Sequence, residues 1–205
     1  MNNILKWKML VMFALTLTLA GCAATRITIH AIGDRPPLCR SQPSQPSALI
    51  LWGAAWRSNQ KEVSLREEIA SRAISRFFAD NACFSNVQLL KSVNNRSAIE
   101  LSDVEALKFA EATGKHYDRV ILLRVEELGP LLILYISPIL WEGGTEAVIR
   151  VRLLNTATSA LEADITTHWR ESGAFVLKGT HSLERDLQAA LAAVFLSGSP
   201  DGKLK

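Results

Sequence analysis

The sequence predicts a mixed α/β domain, one β-sheet flanked by about three helices, behind a secretory leader and a proline-rich tether. Three observations carry this prediction. Over residues 48–125, short apolar runs of strand length alternate with stripes at helical spacing, the pattern of strand–helix crossovers. Two alternating segments follow, split by the polar turn Asn155-Thr156-Ala157-Thr158-Ser159, as in a hairpin. A last stripe, Leu183, Leu187, Ala190, Leu191, Val194 and Phe195, has helical period.

The elements follow in order. Lys6 and Lys8 precede an apolar stretch over residues 9–20, and small residues then lead to Cys22. This is the layout of a cleaved signal, residues 1–21, too short to span a bilayer. Residues 22–47 read as a mature N-terminus and tether. They hold a short strand-like stretch at 25–32 and then four of the seven prolines. That proline-rich part is either a polyproline-like spacer that lifts a domain from a surface or a surface loop pinned at Cys39. The domain proper is expected over residues 48–198, with a flexible tail at 199–205. Residues 48–53 form a continuous apolar run, a buried strand. Ser64 with Glu67 reads as a capping box opening a helix on Ile69, Ala70, Ala73, Ile74, Phe77 and Phe78. Residues 87–90 are a second strand, and Ser102 with Glu105 caps a second helix that stops at Gly114. Residues 117–125 are the clearest strand. Gly143-Gly144-Thr145 is a hairpin turn, residues 147–154 a strand with Arg150 and Arg152 on one face, and residues 160–172 its partner.

Removing 21 leader residues from 205 leaves 184, ample for one domain with a full core. A hydrophobic fraction of 48% with 21% charge excludes a disordered chain. The formal charge of +3 includes Lys6 and Lys8, so the mature chain carries +1 and has no basic run that would serve nucleic acid. Two cysteines remain after Cys22. In an oxidising compartment Cys39 and Cys83 are expected to pair; two separate buried thiols are the alternative.

The ending Leu19-Ala20-Gly21-Cys22 resembles the lipobox of bacterial lipoproteins. The resemblance implies a diacylglycerol thioether on Cys22, palmitate or a similar acyl group on its amine, and membrane attachment through those chains. With Ala23 and not Asp after the cysteine, it implies outer-membrane sorting, facing the periplasm, in a Gram-negative cell. Over residues 48–196 the element order is similar to the TolB N-terminal-like domain of LpoB- and CsgG-type envelope lipoproteins. That similarity implies an envelope protein partner or self-association, and it transfers no functional residue.

No catalytic pattern is present. His30, His116, His168 and His181 show no metal-ligand spacing, Ser172-Gly173 lacks a nucleophile elbow, and Glu126 and Glu127 are expected on opposite strand faces. The expectation is a non-enzyme without cofactor or metal. One segment is anomalous: residues 128–141 link two strands yet are apolar, aromatic and bounded by Pro130 and Pro138. It is either a bent buried strand or an exposed patch for a partner or the membrane surface, carried by Leu132, Leu134, Tyr135, Ile136 and Trp141. Trp52 and Trp56 are either core or a partner-facing pair.

Overall fold

Every residue from Ala48 to Trp52 is buried, and these residues form the inner part of β2 (Ala48–Ala54). A strand covered on both faces is a continuous apolar run, as this one is. Helix α1 (Val63–Asp80) leads to β3 (Val87–Leu90), which lies parallel to β2. A two-stranded ribbon, β4 (Ser92–Val93) with β5 (Arg96–Ser97), and a 3-10 turn at Ala98–Glu100 precede α2 (Asp103–Ala112). The long strands β6 (Arg119–Leu134), β7 (Trp141–Asn155) and β8 (Leu161–Ala174) follow, and α3 (Leu183–Phe195) closes the fold. β6 is parallel to β2; β7, β8 and β1 (Ala24–Ala31) continue antiparallel. The six-stranded order is β1-β8-β7-β6-β2-β3, a mixed sheet with three helices, the class predicted from sequence. The computed structural model describes residues 23–32, 38–39, 45–58, 60–93, 96–135 and 141–196. The leader, Cys22, most of the proline-rich stretch, Ile136 and the 199–205 tail lie outside the described residues.

α1 and α3 cover one face. Their stripes pack on Ile121, Leu123 and Val125 of β6, Ile149 and Val151 of β7, and Ile165 and Trp169 of β8. Phe77 and Phe78 of α1 meet Phe195 of α3 at ring separations of 5.7 and 5.1 Å. α2 covers part of the other face, over Leu49, Leu51, Val120 and Leu122. Beyond α2 that face carries ion pairs and a histidine–carboxylate contact in place of a helix. Arg150 makes a two-pronged contact with Asp164, Arg152 meets Asp103, and His168 Nε2 lies 3.1 Å from Glu146. Among the described residues no helix is long and apolar enough to cross a membrane.

Four local expectations are corrected. First, the sheet takes in residues assigned to the tether: β1 pairs along its length with β8, from Ala24 opposite Ser172 to Ala31 opposite Ile165. The prolines therefore connect β1 to β2, and Cys39, bonded to Cys83, pins that connection under Phe195. Second, α1 starts at Val63 on a left-handed Glu62 (φ 55°) with no side-chain cap, so Ser64 lies inside the first turn and cannot be the cap residue, and Glu67 pairs with Lys91 at 2.5 Å. The capping box at Ser102 and Glu105 forms as expected. Third, Gly143-Gly144-Thr145 is no turn. It lies inside β7, where a Cβ on Gly144 would collide with the Glu171 carbonyl and one on Gly143 with the Val176 carbonyl. Fourth, β6 does not stop at Val125. A bulge between Val125 and Glu127 bends it, and it runs on to Leu134.

Candidate functional site

β2 pairs with β6 only as far as Ala54 opposite Val125, so the rest of β6 extends past the parallel half of the sheet together with β7 and β8. At the bulge Glu126 approaches Arg124 at 3.7 Å, whereas Glu127 is buried against Arg57 (3.3 Å) and Gln60 (2.6 Å). The two carboxylates take separate partners. Next to them Arg66 fills the space over Gly129, donating to the Leu128 carbonyl and, through Nε at 2.7 Å, to that of Lys61.

Beyond Gly129 the side chains alternate. The register pairs Leu128 with Ala147, Pro130 with Thr145, Leu132 with Gly143 and Leu134 with Trp141, so these pairs share the helix-covered face. Helix cover ends at Thr145, whose hydroxyl donates to the fully buried Asp186 of α3 at 2.6 Å. Past that point Leu132, Leu134 and Trp141 extend the core face into the open, with Leu134 63% exposed. Phe175, edge-on to Trp141 at 5.6 Å, and Leu177, 82% exposed, join them from the segment after β8. Leu132, Leu134, Trp141 and Leu177 line a shallow groove of about 230 Å³.

Of the residues singled out in the sequence, the structure thus gathers Leu132, Leu134 and Trp141 at one end of the sheet. Tyr135 is beside them, half exposed, its hydroxyl donating to Glu142 at 2.5 Å. Ile136 lies outside the described residues. Phe175 and Leu177 were not anticipated; they come some 40 residues later in the chain, and no local pattern links them to Leu134. Trp52 is core and Trp56 packs against that core, so the two do not form an outward-facing aromatic pair.

On the opposite side of this end, Glu142 accepts from Ser172 and Tyr135. The Ser172 bond, then the Tyr135 bond, hold the Glu142 carboxyl below the usual carboxylate range. The same contact with Glu142 raises the Tyr135 hydroxyl. A negative carboxylate beneath an apolar rim fixes the aromatic ring, and both its oxygens are occupied.

A second depression, at the carboxyl ends of β2 and β3, is walled by Lys91, Glu67 and Arg124. Lys91 there pairs with Glu67, and Arg124 with Glu126 outside the depression. Among the described residues no three His, Cys, Asp or Glu side chains gather as a metal site would need. Five of the eleven exposed large apolar side chains among the described residues, Leu132, Leu134, Tyr135, Phe175 and Leu177, lie at this apolar end.

The chain matches no family model and no curated protein. Among solved structures it is similar to the PelC dodecamer from Paraburkholderia phytofirmans (13% identity over 83% of this chain and 98% of that one, TM-score 0.45). It is similar also to lipoprotein GNA1162 from Neisseria meningitidis (12%, 74% and 100%, TM-score 0.45) and to protein XCC0632 from Xanthomonas campestris (11%, 82% and 85%, TM-score 0.37).

Proposed function

We propose that this chain is an envelope lipoprotein, held by acyl groups on Cys22 at the outer membrane, whose domain acts by non-covalent contact and catalyses nothing. The lipobox-like Leu19-Ala20-Gly21-Cys22 supports the anchor, and the TolB N-terminal-like element order supports an envelope protein or a second copy of the chain as partner. One observation carries the contact role. Leu132, Leu134, Trp141, Phe175 and Leu177 leave a contiguous apolar surface at one end of a domain whose other open face is ion-paired. Contiguous exposed apolar patches mark contact surfaces.

Two substitutions on neighbouring stretches of β6 test this. Leu128 is fully buried and Leu134 is mostly exposed. Leu128→Asp should unfold the domain. Leu134→Asp should shift its stability by no more than about 0.5 kcal/mol, as surface changes do. In intact cells, the crosslinked product that the native chain forms through this end, with protein or with lipid, should weaken in Leu134→Asp, and native mass spectrometry in detergent would identify a self-assembly by its mass. An adduct indifferent to Leu134→Asp, or unfolding by that substitution, would refute the assignment.

A further inference from the structure

We infer that the apolar end is seated in the lipid bilayer, beside the acyl chains, so that the domain is docked on the membrane and does not hang from a tether. This rests on the proposed acylation of Cys22 and goes beyond it, because a lipid anchor alone places no constraint on which face meets the membrane.

The argument is one of position. Ala24, opposite Ser172, is the first residue of β1, and Ala23, just before the strand, lies beside Gly173: a Cβ built there would stand 3.1 Å from the Ala23 Cα. Gly173 pairs with Gly143, and Gly143 with Leu132. One row across the sheet thus runs from Ala23 to Leu132, three strand spacings or about 15 Å. Cys22 is the next residue before Ala23, so no spacer separates the acyl chains from the sheet. The end of the domain that carries the anchor is the end that carries Leu132, Leu134, Trp141, Phe175 and Leu177.

Chemistry agrees with position. An amphipathic surface sinks about 5–10 Å into the boundary between headgroups and acyl chains. Rows from Leu132 to Leu134 span about 7 Å of strand. Trp141 and Tyr135 are the residue types that settle there, a ring in the apolar layer and a polar atom toward water. The Tyr135 hydroxyl, bonded to Glu142, points to the polar side of the strand end. Further back, Arg26 and Arg170 stand opposite each other on β1 and β8, at the level of the headgroups and water.

The test uses the native acylated chain, reconstituted in vesicles of phosphatidylethanolamine and phosphatidylglycerol with bromine-bearing acyl chains that quench tryptophan on contact. Trp52 and Trp169 are buried in the core and Trp56 packs against it, so Trp141, at the apolar end, is the reporter, and the Trp141→Phe control separates its signal from that of the half-buried Trp56. Emission should fall in brominated vesicles, and Trp141→Phe should abolish that bromine-dependent loss. A chain that floats with the vesicles but whose emission ignores bromine overturns the docking and leaves the anchor standing. A chain that does not float removes the anchor and the docking together. A photoreactive residue at position 134 that captures a protein in intact cells, and no lipid, likewise overturns the docking.

Discussion

Removing the Cys39–Cys83 bond should cost the domain much of its margin. The bond closes a loop between residues 44 positions apart, which in the chain-entropy treatment removes about 4 kcal/mol of freedom from the unfolded chain. A domain of ordinary stability has about 5–15 kcal/mol in total. With a urea dependence of about 2 kcal/mol per molar, the midpoint should fall by about 2 M. Alanine is the right replacement, because Cys83 is buried and serine would bury a hydroxyl. Cys39→Ala, Cys83→Ala and the double variant should all lose the same amount, since each removes one and the same bond, and reductant should do to the native chain what the substitutions do. The measurement is urea unfolding followed by circular dichroism in detergent. A midpoint shift below about 0.5 M would refute the reasoning. It would mean that the unfolded chain already keeps residues 39 and 83 close without the bond.

Two further outcomes follow from buried polar contacts. Thr145→Val leaves the fully buried Asp186 without its hydroxyl donor and should cost about 1–3 kcal/mol, whereas Thr145→Val with Asp186→Leu should recover most of it; equal thermal midpoints for native and Thr145→Val would remove the argument. Asp118 accepts from the Ser47 backbone N–H at 2.7 Å and from its hydroxyl at 2.9 Å, and these bonds, the backbone one foremost, hold its carboxyl below the usual range. Because the folded value is depressed, its contribution is complete above the ordinary carboxylate value of about 4 and is lost as pH falls through the folded value. Ser47→Ala should raise the Asp118 titration part of the way back. A carboxyl NMR titration of the native chain at the ordinary value would contradict this.

Much of the fold was legible because its signals are local. The apolar run at 48–52 is a strand buried on both faces, and Ser102 with Glu105 caps α2 as their spacing requires. The matching pair Ser64 and Glu67 fails as a cap because the helix starts one residue earlier, at Val63 on a left-handed Glu62, which puts Ser64 inside the first turn. Gly143-Gly144 looks like a turn because glycine permits turns, but here its missing Cβ admits the backbone of β8 and the segment after it. Which of the two demands a glycine meets depends on what lies opposite, and the sequence window does not contain it.

By itself the sequence determined the class of fold, the helical stripes, and the oddity of an apolar segment at 128–141. Only the tertiary structure decided where that segment lies and how much of it is exposed. Hydrophobic periodicity states which residues share a face, and burial depends on how far the covering helices reach; α3 reaches Thr145 and stops short of Leu132. The place of Ala23 was likewise invisible, since pairing between β1 and β8 joins residues nearly 150 positions apart, and local patterning carries no information about contacts at that range.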